Sequence, residues 1–294
     1  MTAPRRRPTS RQVLIRRSVA GAALASVLAV LGWAAYAIGS SGSSTTTTAP
    51  LLPPPPKPLK IVFPEGFTRS DMAERVAAVD RIAKAKRGIA PKLRPKPYLA
   101  ATAKARRIPG FGRKRRPLEG FLFPATYDFL RTTTAKQLVQ KQLSAFQRNW
   151  RRLDLSYAKS KNLTPYDVLI IASMVERETL APSERPLVAA VIYNRLHARM
   201  PLGIDATIRY ALHVPGTQPL RESELHNPTP YNTRLHAGLP PTPIANPGLP
   251  SMIAAAHPAK VDYLYFVAKP DRRHHFFTAS NAEFERYKAE HGYK

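Results

Sequence analysis

The chain of 294 residues has a formal net charge of +27, and 44% of its residues are apolar, which excludes a wholly disordered protein. It contains no cysteine, which excludes a disulfide framework, a thiolate nucleophile and a Cys-ligated zinc or iron–sulfur site. Its 30 prolines are about twice the usual number and indicate linkers or Pro-marked loops.

The first 58 residues divide into three segments of different composition. Residues 1–17 carry six arginines and no acidic residue, and residues 18–38 form an uncharged apolar run. At about 1.5 Å per residue this run spans about 30 Å, the thickness of a bilayer core, so we predict a transmembrane helix. A cleaved signal peptide is the alternative, because Ala35-Tyr36-Ala37 fits a cleavage site. The Ser/Thr/Pro-rich residues 39–58 predict a linker.

The arginines before the apolar run predict the orientation of the chain in the membrane. Lys and Arg accumulate on the cytoplasmic side of membrane segments, so residues 1–17 are predicted as a cytoplasmic tail. The protein is then a single-pass protein of the cell membrane, and the folded part after the linker lies outside the cytoplasm.

Residues 57–117 form a strongly basic region, with 18 Lys or Arg against four acidic residues. Residues 60–63 predict a short strand, and residues 68–85 predict a helix with Thr68 or Ser70 as N-cap. Residues 84–116 look like a basic loop, which either binds an anionic wall polymer or is simply a solvated loop. Nucleic acid is not expected as a partner, because the region lies outside the membrane and carries no nucleic-acid-binding motif.

From residue 118 the composition becomes that of a mixed α+β domain. The strongest helix signal starts at Thr164, a predicted N-cap followed by Pro165 at the first helical position and Asp167 at the third. The short helix after Asp205 is predicted to be capped by that aspartate, and Ser183 is the predicted cap of another helix. The predicted helices are 134–149, 165–178, 184–197 and 281–290, and the predicted strands are 262–268 and 275–278.

One carboxyl group stands out on the predicted helix 165–178. Positions three and four apart place Leu169, Ala172, Ser173 and Glu176 on one face, so Glu176 ends an apolar stripe. A carboxyl held against apolar surface is favoured in its protonated form, which a general acid needs. Glu178 is the competing candidate and points elsewhere. The structural alternative is that both acids form salt bridges with Arg177 or Arg185.

The other chemical signals are weak. Residues 231–248 predict a long ordered loop whose aromatic and amide side chains suit sugars. The histidines lack the spacing of metal ligands, and no nucleotide-binding glycine motif is present, so neither a metal nor a cofactor is expected.

Six motifs occur in order along the chain: LEGFLFPATY at 118–127, ASMVERET at 172–179, IYNRL at 192–196, MPL at 200–202, YNT at 231–233 and GLPPTPIANPG at 238–248. Together they resemble the YceG-like endolytic murein transglycosylases. One departure stands at residues 203–206, where Gly-Ile-Asp-Ala replaces the Gln-[Ser/Thr]-Asp-Pro common in that family.

The resemblance implies a LysM-like subdomain at 59–117 and a catalytic domain at 118–294. It implies cleavage of the MurNAc–GlcNAc β-1,4 bond of peptidoglycan strands with formation of a 1,6-anhydro-MurNAc end, and Glu176 as the catalytic residue. Peptidoglycan glycan strands, the cytoplasmic membrane and peptidoglycan synthases are the partners that it implies. The residues we expect to position either the sugar or Glu176 are Glu119, Asp205, Tyr231, Asn232 and Asn246.

Two other functions stay open at this point. One is a non-catalytic peptidoglycan-binding scaffold that recruits the wall-synthesis machinery through its basic region. The other is a hydrolase of the lysozyme type, which releases a reducing MurNAc end instead of the anhydro end.

Overall fold

A computed structural model of the protein describes residues 57–293. The predicted cytoplasmic tail, the transmembrane segment 18–38 and nearly all of the predicted linker lie outside the described residues. Among residues 57–293, no helix combines the length and the apolar character needed to cross a membrane.

The described part of the chain is a mixed α+β structure, as expected from the sequence. Its elements, in chain order, are β1 (Leu59–Val62), α1 (Arg69–Arg87), α2 (Pro95–Ala103), β2 (Thr126–Phe129), α3 (Ala135–Trp150), α4 (Ser156–Ser160), α5 (Pro165–Glu178), a 3-10 turn (Pro182–Glu184), α6 (Arg185–His197), α7 (Asp205–Leu212), α8 (Glu222–Leu225), α9 (Leu249–Ala256), β3 (Tyr265–Ala268), β4 (His275–Thr278) and α10 (Asn281–Glu290).

The N-terminal elements form a β-α-α-β unit. Strands β1 and β2 pair antiparallel, with Leu59 opposite Phe129, and α1 and α2 lie between them in the chain. Helix α1 begins at a capping box in which Thr68 and Asp71 satisfy each other's backbone N–H groups, so the prediction of Thr68 as N-cap is confirmed. Because β2 belongs to this unit, the strand pair crosses the predicted boundary at 117/118, and the LysM-like subdomain stays a prediction.

The prediction that residues 84–116 are loop-like is wrong for thirteen of them, namely 84–87 at the end of α1 and 95–103, which form α2. Helix α2 has a proline at its first position, and its Tyr98 is fully buried. Its hydroxyl donates a hydrogen bond to Gln142 Oε1 at 2.8 Å on α3. The helix was missed because only two of its residues, Tyr98 and Thr102, are buried, and the basic residues around it made the whole segment look like a loop.

Helix α5 is the centre of the core and carries nine buried residues. The predicted start is confirmed, since Thr164 and Asp167 form a capping box and Pro165 is the first helical residue. Helices α6 and α9 pack against α5. Helix α9 was not predicted, because its short sequence LPSMIAAA has no polar face to mark a period.

Two predicted caps are wrong. Helix α7 has Ile204 as its N-cap, and Asp205 is its first helical residue, because the Asp205 carboxylate instead binds Arg234 Nε at 2.7 Å. Helix α6 starts at Arg185 with Glu184 as N-cap, so Ser183 lies in the preceding 3-10 turn.

The C-terminal part is an antiparallel hairpin with a helix. Strand β3 pairs with β4, with Tyr265 opposite Thr278, which confirms the predicted pairing, and α10 confirms the predicted helix 281–290. The Glu184 carboxylate ties this hairpin to the start of α6, because it accepts the His275 backbone N–H at 2.9 Å and lies 2.7 Å from His275 Nδ1.

Candidate active site

Glu176 lies in the last turn of α5, with its side chain 6% exposed. The face that leads to it is apolar, as predicted: Leu169 and Ala172 are fully buried. Its Oε2 accepts the backbone N–H of Gly248 at 2.9 Å. Its Oε1 is 4.0 Å from Nη2 of Arg185, whose Nε donates to Ser251 Oγ. The carboxyl therefore has one hydrogen-bond donor and one cation at the limit of ion pairing, in a nearly water-free setting.

The segment 244–248 fixes the donor that Glu176 uses. Ile244 N–H donates to Ser173 Oγ on α5 at 3.0 Å, which anchors one end of the segment. The backbones of Asn246 and the β1–α1 loop exchange two hydrogen bonds, Gly66 N–H to Asn246 O at 3.0 Å and Asn246 N–H to Phe67 O at 2.9 Å. Gly248 is then the N-cap of α9, so the positive end of that helix faces Glu176.

Asn246 and Glu119 lie in one buried hydrogen-bond network beneath this segment. Asn246 is fully buried, its Oδ1 accepts Leu122 N–H, and its Nδ2 donates to Glu119 Oε1 and to Phe67 O, each at 2.9 Å. Glu119 also accepts the Arg69 backbone N–H at 3.1 Å. Burial raises the pKa of Glu119 to about 7, and the donated hydrogen bond from Arg69 opposes this rise.

Tyr210 connects the network of Asn246 and Glu119 to Tyr231, one of the predicted residues. The Tyr210 hydroxyl donates to Glu119 Oε2 at 3.2 Å, and its ring lies 5.3 Å from the ring of Tyr231. The Tyr231 hydroxyl is 2.8 Å from Thr242 Oγ1, in the same loop.

Asp205 and Asn232 are joined through Arg234. Asp205 is half-buried and pairs with the Arg234 guanidinium, while Asn232 Oδ1 accepts the Arg234 backbone N–H at 3.1 Å. Asn232 is fully buried and its Nδ2 donates to the carbonyls of Leu225 and Asn227. The structure thus uses the amides of Asn232 and Asn246 to hold loops, and a substrate contact for any of the five predicted residues stays a prediction.

Glu178, the competing acid, is the last residue of α5, and its carboxyl lies against the start of α7. Burial and the charge of Asp205 raise the pKa of Glu178 to about 7, and a hydrogen bond with the Ala206 backbone opposes this rise. This position agrees with the prediction that Glu178 points elsewhere.

A cleft of about 990 Å³ runs beside the site. It is lined by the start of α1, by Glu119 and Tyr210 of the network, and by Arg177, which follows Glu176 in the chain. Its arginines are Arg69, Arg75, Arg81, Arg177 and Arg209. The acidic residues Asp71, Glu74 and Glu119 line the same cleft, so it presents charges of both signs, with the arginines in excess, to a polar ligand. Glu176 itself does not line this cleft.

Arg185 was anticipated as a salt-bridge partner of Glu176, and it lies at 4.0 Å. Two other residues around Glu176 were missed by the sequence analysis: Glu65 and Gly248. Glu65 lies in the β1–α1 loop, and a Cβ added to Gly248 would lie 1.9 Å from its Oε1. The Pro-Glu-Gly turn between a predicted strand and a capped helix was visible in the sequence. Nothing local linked it to residue 176, more than a hundred positions further on.

These features describe a mixed α+β protein with a nearly buried helix-end carboxyl beside an arginine-lined cleft. The model of the YceG-like family matches residues 13–290. The chain belongs to the YceG-like family.

The chain is similar to curated proteins named endolytic murein transglycosylase. The protein of Bacillus subtilis (strain 168) is 39% identical over 155 residues, which cover 53% of this chain and 43% of that protein. The protein of Streptococcus pneumoniae (strain R6) is 38% identical over 180 residues, covering 59% and 32%. The chain thus spans less than half the length of these relatives.

The fold is also similar to a solved structure. The crystal structure of a yceG-like protein from Listeria monocytogenes superposes with a TM-score of 0.64 at 30% sequence identity. The match covers 78% of this chain and 76% of the Listeria chain.

Proposed function

We propose that the protein is a membrane-anchored endolytic murein transglycosylase. It cleaves the MurNAc–GlcNAc β-1,4 bond within peptidoglycan strands and leaves a 1,6-anhydro-MurNAc end. The observation that carries the proposal is the setting of Glu176: a helix-end carboxyl, 6% exposed, with one backbone donor and one distant arginine. The names of the relatives, at 37–39% identity, support the same reaction.

The setting of Glu176 suits the two proton transfers of this reaction. Protonated Glu176 donates its proton to the glycosidic oxygen, the C1–O bond breaks, and C1 becomes oxocarbenium-like. The resulting carboxylate is stabilised by Gly248 N–H and by Arg185 at 4.0 Å. It then takes the proton of the C6 hydroxyl as O6 bonds to C1, which restores protonated Glu176. No water is consumed, and no second carboxylate acts as nucleophile.

The other predicted residues act as supports of this site. Asn246 and Glu119 hold the segment that ends at Gly248, and Tyr231 lies beside the cleft that Tyr210 lines. Asp205 and Asn232 both bind Arg234 and so order the loop that contains it. The arginine-lined cleft offers charged donors to the carboxylates of the peptide stems on the glycan.

The N-terminal part of the chain serves attachment and strand binding. Its β-α-α-β order with an antiparallel strand pair supports the LysM-like assignment of this unit. The apolar residues 18–38 and the preceding arginines support a single-pass anchor with an extracytoplasmic catalytic domain. Peptidoglycan synthases are the protein partners that we propose for a catalytic domain held outside the membrane in this way.

A non-catalytic peptidoglycan-binding scaffold is the second candidate. It is favoured by one observation, namely that Glu176 does not line the arginine-rich cleft beside it. The two functions differ in whether the protein changes its substrate.

The test is product analysis by mass spectrometry. Full-length wild type, Glu176→Gln and the surface control Glu290→Gln are incubated in detergent with uncrosslinked glycan strands. We expect 1,6-anhydro products from the wild type and the control, and a loss of at least about 100-fold in Glu176→Gln, because proton transfer is removed. Unchanged glycan with all three proteins supports the scaffold, and products heavier by one water indicate a hydrolase. Equal activity of Glu176→Gln and wild type contradicts the role of Glu176.

A further inference from the structure

Two segments of the chain form one strongly basic surface, called here the basic face. One segment is the loop 104–116, and the other is the end of α3 with the two residues that follow it. Within residues 57–293, none of their exposed basic side chains forms a salt bridge. These side chains are Lys104, Arg107, Arg113, Lys114, Arg115, Arg148, Arg151 and Arg152.

The loop 104–116 is held firmly against the end of α3. Arg106 and Arg116 pair across the loop through two backbone hydrogen bonds, each of 2.8 Å. Between them, Phe111 is 4% exposed, and its ring lies 4.8 Å from the ring of Trp150 on α3. The Gln147 amide of the same helix donates to Pro109 O at 3.2 Å. The contacts that order the loop are thus apolar and backbone contacts, and the exposed charges play no part in them.

The charges of the basic face are not balanced within the neighbouring chain. No acidic residue occurs between Asp80 and Glu119, where 14 Lys or Arg residues occur. Glu119 is buried, and the carboxylate of Asp154 accepts hydrogen bonds from its own turn. Like charges that lie close together repel one another, and counter-charges from outside the protein relieve this repulsion. The basic face therefore suits a ligand that presents many negative charges.

The position of the basic face indicates which ligand this is. Pro58, through which the chain arrives from its N-terminal segments, lines the same cleft of about 920 Å³ as Arg148 of the basic face. Asp128 also lines this cleft and offsets one of the eight basic charges. Because the proposed anchor precedes Pro58 in the chain, a membrane surface is the polyanion that this face is best placed to meet. Ile108 and Phe111 are buried, so the contact is with lipid headgroups and not with acyl chains.

We propose that the basic face binds the anionic phospholipid headgroups of the membrane and so keeps the catalytic domain close to the bilayer. This inference rests on the anchor in the proposed function. Each Lys or Arg near an anionic bilayer strengthens binding about fivefold. The attraction falls off within about 8 Å at physiological salt, so only a face in direct contact with the surface contributes.

The test measures how close the loop lies to the lipid in the full-length protein. The chain has no cysteine, so Ala103→Cys, at an exposed position next to the loop, carries a single fluorophore. The labelled protein is placed in vesicles of phosphatidylcholine alone or with about 30% phosphatidylglycerol, each containing a lipid with a quencher on its headgroup. We expect strong quenching only in the anionic vesicles, and its loss when salt is raised from about 0.15 M to about 1 M.

Two charge variants of the labelled protein show which side chains are responsible. The loop variant replaces exposed side chains that make no hydrogen bond within the described residues: Lys104→Gln, Arg107→Gln, Arg113→Gln and Lys114→Gln. The control removes the same charge from exposed positions outside the basic face: Lys260→Gln, Lys269→Gln, Arg272→Gln and Arg273→Gln. We expect the ratio of lipid-bound to free loop to fall at least about tenfold in the loop variant and less than about twofold in the control. Thermal melts of the loop variant should not fall below wild type, because repulsion is removed.

Distinct outcomes overturn this inference and the proposed anchor. Flotation of the protein with neutral vesicles tests the anchor alone, and a protein that floats with neither kind of vesicle overturns both. If it floats with both and the loop is quenched equally in both, the inference about the basic face fails and the anchor stands. Binding of soluble poly(glycerol phosphate) without quenching by anionic vesicles assigns the face to a wall polymer and also overturns the inference. A loop variant that unfolds overturns it as well, because its charges are then structural.

Discussion

Gly120 offers a sharp test of how the site is packed. The residue lies between buried Glu119 and Phe121 and has a φ of +86°. A Cβ at this position would lie 2.6 Å from Cγ and 2.7 Å from Cβ of Pro243, and 3.3 Å from Cδ2 of Leu169. Pro243 is a buried ring in the loop that leads to Gly248, so it cannot swing away as a flexible side chain can.

The expected cost of Gly120→Ala has two parts. The left-handed backbone costs a residue with a Cβ about 1 kcal/mol relative to glycine. Overpacking against Pro243 adds about 1–3 kcal/mol. At about 2–4 °C per kcal/mol for a protein of this size, a total of about 3 kcal/mol lowers Tm by about 6–12 °C.

Gly110→Ala is the matched control. Gly110 has nearly the same φ of +85°, but nothing lies within 4 Å of the added Cβ, so only the backbone part applies and Tm should fall by about 2–4 °C. Thermal unfolding of the two variants measures the difference, and adding Pro243→Ala to Gly120→Ala should recover part of it. Equal melting temperatures for the two glycine variants refute the close packing on Pro243.

Three further variants test individual features. Burial raises the pKa of Glu119 to about 7, so the contribution of protonated Glu119 to the free energy of unfolding is present below about pH 4.5 and is lost as pH rises through 7. Urea unfolding should therefore show the stability of Glu119→Gln rising by about 2–3 kcal/mol relative to that of wild type between pH 5 and pH 8. A difference in stability that does not change with pH contradicts this. His275→Ala leaves the buried Glu184 carboxylate without its imidazole and should cost about 2–4 kcal/mol in thermal melts, whereas loss of the exposed pair in His274→Ala should cost under about 1 kcal/mol. Thr164→Ala removes the N-cap of α5 and should cost about 1 kcal/mol, measured in the same way.

Local signals in the sequence were sufficient for much of the fold. The cap at Thr164 and the apolar face ending at Glu176 could be read within one helix, because period and capping depend on neighbouring residues. Helix α2 shows the limit of that approach. Tyr98 is helical and buried because it packs on the core and binds Gln142 of α3, a contact that no local pattern encodes.

The same limit applies to the site. Glu176 was found from its own helix, but its donor Gly248 and its neighbour Glu65 come from distant parts of the chain. The cap expected at Asp205 failed for a related reason, because the side chain found a stronger partner in Arg234. Tertiary partners decided these cases, and the sequence around each residue gave no sign of them.

The hydrogen bonds between the β1–α1 loop and the segment around Asn246 have an evolutionary consequence. Asn246 Nδ2 and Phe67 O are separated by 179 positions, and Glu65 occupies space that only a glycine at 248 leaves free. A larger side chain at 248 would be tolerated only together with a shorter one at 65. In an alignment of relatives, these two stretches should therefore change in concert, and chimaeras that take them from different parents should lose activity even when both halves fold.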